Sequence, residues 1–139
     1  MNAVDTNVFV YAADDYEPVK QAKAVKLPDQ LVQTPSETWL LWQVAGEFLS
    51  CMRRWESTGR ISPADVEANI RDLLAMFPLA LPTQNVIVLS LDLSSRFSLS
   101  HWDSMLLAAC IEAGVDALYS EDLDVATTYD TVTVINPFA

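Results

Sequence analysis

Apolar residues along this chain fall into two rhythms, one of period about 3.6 and one of short unbroken runs. The helical rhythm is clearest where a start signal precedes it. Thr34-Pro35-Ser36-Glu37 reads as a capping box with proline at the first helical position, and Trp39, Leu40, Val44, Phe48 and Cys51 follow at helical spacing. This predicts a helix from about Pro35 to about Thr58, with Gly59 as its terminating residue. Ser62-Pro63-Ala64-Asp65 repeats the signal before Val66, Ile70, Leu73, Leu74 and Phe77, and Pro78 ends that helix. A third helix is predicted from about Gln84 to Arg96. A fourth follows Ser100, carries Met105, Leu106, Ala109, Cys110 and Ile111, and stops at Gly114. Asp5 caps a further helix beginning near Thr6.

The unbroken runs predict strands at Met1 to Val4, Leu31 to Gln33, Val115 to Tyr119 and Val132 to Ile135, with a weaker one at Leu79 to Leu81. Strands that alternate with helices, and that are apolar throughout, belong to a mostly parallel sheet covered by helices. The expected fold class is therefore α/β, an α/β/α sandwich. In such folds sites form beyond the carboxyl ends of strands. Asp5 and the segment Ser120 to Asp124 each follow a strand directly.

Length and composition narrow the classes. The 139 residues suit one domain, 1–139, and 51% hydrophobic against 19% charged residues excludes a disordered tail. No apolar run approaches the roughly 18 residues of a membrane span, and the chain enters a predicted strand at once, so a cytoplasmic location without membrane association is expected. Cys51 and Cys110 lie in apolar helical patterns and read as reduced core residues. His101 is the sole histidine, which leaves no His-based triad and no zinc site of Cys/His spacing. Any chemistry belongs to carboxylates.

Nineteen acidic residues against eight basic ones give a net charge of −11. Most such acids are solvated, so position decides which matter. Asp5 ends the first strand, with Asn7 beside it. Glu47 borders an apolar stripe with no basic residue within a turn to pair it. Asp103 neighbours Leu99, Leu106, Leu107 and Cys110, and also fits a capping box with Ser100. Glu121, Asp122 and Asp124 cluster just past a strand. Converging carboxylates with oxygen-only ligands suit Mg²⁺ or Mn²⁺, ions that act on phosphate esters.

Four segments carry a resemblance that covers essentially the whole chain. These are Val4-Asp5-Thr6-Asn7-Val8-Phe9-Val10-Tyr11-Ala12, Gln43-Val44-Ala45-Gly46-Glu47-Phe48, Leu99-Ser100-His101-Trp102-Asp103-Ser104-Met105 and Leu118-Tyr119-Ser120-Glu121-Asp122-Leu123. With the closing Val134-Ile135-Asn136-Pro137-Phe138, the chain resembles the PIN-domain ribonucleases, and among them the VapC-type toxins of bacterial toxin–antitoxin pairs. The resemblance implies that Asp5, Glu47, Asp103 and Asp122 are catalytic and hold one or two Mg²⁺ or Mn²⁺ ions, while Thr6, Asn7 and Ser120 orient carboxylates or water. Glu121 and Asp124 are the alternatives for the fourth acid. It implies a metal-dependent endoribonuclease, a homodimer, and silencing by a VapB-like antitoxin that brings a basic residue to the acids.

Against this stands a poor basic footprint for an RNA substrate. Arg53 and Arg54, with Lys20, Lys23, Lys26 and Arg60, are the candidates for backbone phosphates. Trp39, Trp42 and Trp55 on one predicted helix suit either a core or a partner groove. The rival readings are a catalytically silent PIN fold acting as a binding module and a phosphoaspartate receiver or phosphatase. The last fits poorly, because Asn7 stands where the phosphatase pattern has aspartate and no lysine follows Lys26.

Overall fold

The computed structural model describes residues 1–34, 36–124 and 127–139. Six strands and six helices follow in the order β1 (Asn2–Val4), α1 (Thr6–Ala12), α2 (Pro18–Val32), β2 (Thr38–Leu41), α3 (Trp42–Ser57), α4 (Pro63–Met76), β3 (Leu79–Ala80), α5 (Gln84–Phe97), α6 (His101–Ala113), β4 (Ala117–Tyr119), β5 (Thr128–Tyr129) and β6 (Val132–Ile135). They form one sheet of order β3-β2-β1-β4-β6-β5, parallel except for β5 against β6.

The steps β1 to β2 and β2 to β3 run one way across the sheet, and β3 to β4 runs back. Right-handed crossovers therefore lay α1–α4 and α5–α6 on opposite faces. Packing agrees, since α1 contacts α2 and α3, α3 contacts α4, and α5 contacts α6. Between them lies a core that includes Leu40, Leu41, Met52, Leu107 and Leu118. Strand order reverses between β1 and β4, and the crevice at such a reversal opens beyond the strands' carboxyl ends. Asp5 and Ser120 leave those two strands side by side, with the Asp5 N–H donating to the Tyr119 carbonyl at 2.9 Å.

Most predicted elements are present. The Ser62 capping box is complete, with both reciprocal bonds formed. Ser100 caps α6, and Gly114 ends it at φ 78°, a left-handed angle that costs glycine little.

Two expectations are corrected. The predicted helix from Pro35 begins only at Trp42, because Thr38–Leu41 forms β2; Pro35 itself lies outside the described residues. Paired with β1 on one side and β3 on the other, this segment gains ladder hydrogen bonds that override a plausible helix start. Trp39 is consequently on a strand, apart from Trp42 and Trp55 on α3. The predicted strand Leu31 to Gln33 is instead the end of α2, whose buried Ala24, Leu27 and Leu31 keep helical spacing across Pro28. That proline, tolerated inside the helix, hid the rhythm. The short β5, pairing with β6 through the turn at Asp130, had no apolar run to announce it.

Candidate functional site

Asp5 sits at the reversal point, 7% exposed. Its first oxygen accepts from the Thr6 N–H (2.7 Å) as the cap of α1, and its second accepts from Ser120 Oγ (2.7 Å). The capping role and a site role thus coexist, one oxygen to each neighbour. Ser120, fully buried, also accepts from the Asp122 N–H at 3.1 Å, so a single hydroxyl ties the first acid to the turn bearing the fourth. Burial pushes the Asp5 carboxyl up to about 6. The Ser120 and Thr6 bonds oppose the rise, while the charges of Asp122 and Glu47 add to it.

Those two acids line a cleft of about 390 Å³ beside Asp5, together with Asn7 and Tyr11 from α1 and Arg54 from α3. Glu47 and Asp122 are exposed, and the Gln43 amide donates to Glu47 (2.7 Å) and to the Trp102 carbonyl (3.1 Å). Gln43 therefore steadies Glu47 while tying α3 to the start of α6. Its i,i+4 spacing to Glu47 was the signal available in the sequence.

Asp103, in the first turn of α6, is half-buried and is not among the residues lining the cleft; its charge bears on Tyr129. Ser100 accepts from its N–H (3.3 Å), and among the described residues the Asp103 carboxylate makes no hydrogen bond. The structure thus brings the charges of Glu47 and Asp122 to bear on Asp5 and leaves Asp103 on α6, outside the residues that line the cleft.

Glu121 turns elsewhere, to an ion pair with Lys20 that lowers the acid and raises the lysine. Asp124 is exposed, and its charge also bears on Tyr129. Arg60 pairs with Asp14 (2.7 Å) between the rings of Tyr16 and Trp55. Lys20 and Arg60 are therefore engaged, whereas Arg53 and Arg54 are exposed and form no ion pair among the described residues.

The donor set suits a hard divalent ion in its chemistry. Oxygen donors predominate, and the Asn7 amide and the Thr6 hydroxyl are buried beside Asp5 without a partner among the described residues. In position, no three carboxylate, imidazole or thiol groups among the described residues stand together as a ligand set. Holding one ion would require the exposed Glu47 and Asp122 to rotate toward Asp5. The nearby Cys110 thiol is pushed up by burial and by the Asp5 charge, so it stays protonated and inert. Cys51 is likewise buried and free.

A second, larger groove of about 670 Å³ adjoins the cleft, sharing Glu47 and Ser50 with it. It is lined by Trp39, Trp42, Leu81, Trp102 and Met105, of which Trp42, Leu81 and Trp102 are largely exposed. Pairing of Trp residues by sequence spacing pointed to α3 alone; the groove draws them from β2, α3 and α6.

Acids stand where the strand order of a mostly parallel α/β sheet reverses, and comparison with known proteins identifies the family to which this fold belongs. The family model of the PIN domain matches residues 3–130, and the chain belongs to that family. Among solved structures, a toxin–antitoxin complex from Klebsiella pneumoniae has a chain of the same fold at 15% identity, with 99% of this chain and 98% of that chain covered and a TM-score of 0.67. VapC20 of Mycobacterium tuberculosis, a Sarcin-Ricin loop cleaving toxin, is similar at 16% identity over 88% of this chain and 90% of that one, with a TM-score of 0.67. A chain of VapBC2 from Rickettsia felis, solved with a DNA fragment from its promoter, is similar at 9% identity over 96% of both chains, with a TM-score of 0.69. No curated protein sequence matches this chain. Among the described residues no helix is long and apolar enough to cross a membrane.

Proposed function

We propose that this PIN-domain chain is a metal-dependent endoribonuclease and the toxin of a type II toxin–antitoxin pair. The observation that carries the reading is Asp5, buried at the strand-order reversal, bonded to Ser120 of the adjacent strand end and facing the charges of Glu47 and Asp122. Like charges that bear on one another in this way favour a bound cation. Asp5, Glu47 and Asp122, with Asp103 from α6, would hold Mg²⁺ or Mn²⁺, which supplies Lewis acidity and positive charge to phosphodiester hydrolysis.

The chain's own groups do the rest. Ser120 fixes the Asp5 carboxylate and the Asp122 backbone together. The Asn7 amide, buried without a partner among the described residues, orients a water or a phosphate oxygen, and Thr6 adds a hydroxyl. Gln43 steadies Glu47 through one hydrogen bond, and Arg54 at the rim of the cleft meets an RNA phosphate, with Arg53 beyond it. RNA as substrate accords with the loop-cleaving toxin of the same fold.

The toxin role accords with the two similar toxin–antitoxin assemblies, and a net charge of −11 suits a basic, VapB-like partner. A homodimer seated on the apolar groove would cover Trp42, Leu81 and Trp102, side chains rarely left exposed together in a monomer.

One observation favours a second reading, a binding module without turnover: among the described residues no three metal-ligating groups stand together. Incubation of purified protein with a pool of structured RNAs and Mn²⁺ or Mg²⁺ separates the two. Discrete cuts are expected, lost with chelator and in both Asp5→Asn and Asp103→Asn. Cleavage indifferent to chelator and to Asp5→Asn would overturn the nuclease reading. Bound Mn²⁺ without any cleavage would leave the binding module.

A further inference from the structure

Beside the acid cleft lies an ion pair that hydrolysis does not use. Lys20 of α2 donates to the Glu121 carboxylate and to the Tyr11 hydroxyl (3.1 Å). Its ammonium stands 4.6 Å from the centre of the Tyr11 ring and 5.8 Å from that of Phe138, and the two rings meet edge to face at 5.1 Å. The Lys20 and Glu121 side chains are only 34% and 25% exposed, so the pair is partly shielded from water and salt. Tyr11 itself lines the cleft, which sets the pair at its margin.

Glu121 and Asp122 are consecutive, yet Asp122 lines the cleft and Glu121 faces α2. Their turn is held from inside by Ser120, bonded to Asp5 and to the Asp122 N–H. Buried Leu123 anchors the far end, and Glu121 is held on the outside by Lys20. Without that lysine, a carboxylate one residue from Asp122 would be free to enter a cleft whose donors are the same chemical type.

We propose that Lys20 is a positioning residue: by holding Glu121 against α2 it keeps an extra carboxylate out of the acid cleft and fixes Asp122 in it. The proposal rests on the ribonuclease reading. It differs from a phosphate-contact role for Lys20, in which the ammonium would meet RNA directly.

The test compares wild type, Lys20→Met, Lys20→Arg and Lys20→Met/Glu121→Gln as full-length proteins. It measures kcat, KM and their salt dependence on a cleaved RNA, and Mn²⁺ affinity by calorimetry without RNA. Lys20→Met is expected to lower kcat about tenfold, the scale of a small misplacement at a reacting centre, with KM and salt slope unchanged. Its Mn²⁺ affinity is expected to rise severalfold as Glu121 joins the cleft. The double variant, lacking the stray charge, should return Mn²⁺ affinity to the wild-type value and recover most of kcat, and Lys20→Arg should recover most of it by restoring the pair. A raised KM with a flatter salt slope and unchanged kcat would overturn the proposal in favour of a phosphate contact. Unchanged kcat and Mn²⁺ affinity in Lys20→Met would overturn it outright. Should Lys20→Met fail to fold, the double variant and Lys20→Arg decide, since a kcat about tenfold below wild type in the double variant contradicts the proposal. If wild type neither binds Mn²⁺ nor cuts RNA, the ribonuclease reading itself fails.

Discussion

Asp5 is held where a carboxylate is electrostatically unwelcome, and that conflict has a measurable sign. Burial raises its carboxyl from 3.8 to about 6, so the folded chain binds a proton more tightly than the unfolded chain does. Stability therefore falls as pH rises from about 3.8 through 6. The full cost, at most about 3 kcal/mol, is present above that window and absent below it. Asparagine removes the charge and can still accept from the Thr6 N–H. Asp5→Asn is expected to be the more stable protein in urea denaturation at pH 7.5, to lose that advantage near pH 3.5, and to be inactive. An unchanged difference at the two pH values would show that ionisation of Asp5 is not the source. Addition of Mn²⁺ should raise the Tm of wild type by binding the native state, and far less that of Asp5→Asn.

At the scale of elements, the same local device serves two ends. Ser62 caps α4 and Ser100 caps α6, each accepting from an aspartate N–H three residues on, at 3.1 and 3.3 Å. Loss of either cap costs about 1 kcal/mol. Ser62→Ala and Ser100→Ala should thus destabilise alike in denaturant titration. Only Ser100→Ala should also lower kcat, because α6 carries Asp103 and meets Gln43 through the Trp102 carbonyl, whereas α4 carries no acid of the site. Equal activity in the two variants would argue that Asp103 plays no part.

For the whole molecule, charge is the governing quantity. Of the eight basic residues, Lys20, Arg60, Arg71 and Arg96 are spent in ion pairs, and Lys23 donates to the Phe138 carbonyl. Few cations are left for RNA, so binding should weaken only slowly with salt. A log–log slope shallower than about −3 per chain is expected, the value for four neutralised phosphates on a single strand. A steeper slope in fluorescence-anisotropy titrations would point to a basic surface supplied by a second copy or partner. Sedimentation tests the second copy directly: Trp102→Glu, placing a charge in the apolar groove, is expected to convert a dimer to monomer.

Local signals in the chain were enough for the α/β class, for α4 and α6 with their marked ends, and for the acids Asp5, Glu47, Asp103 and Asp122 as candidates. Caps and unbroken apolar runs act between near neighbours, so they can be read without the fold. The status of Thr38–Leu41 could not be read that way, because its partners Asn2, Ala3, Leu79 and Ala80 are distant in sequence and the ladder they form outweighs a local helix start. Nor could the choice between Glu121 and Asp122. Two carboxylates one residue apart are equivalent in sequence, and the distant Lys20 engages one of them while the other lines the cleft. The acidic chemistry is thus inherent in the chain, while tertiary packing decides which acids face one another, since burial and pairing arise only when α1, α2, α3 and the β4 end meet.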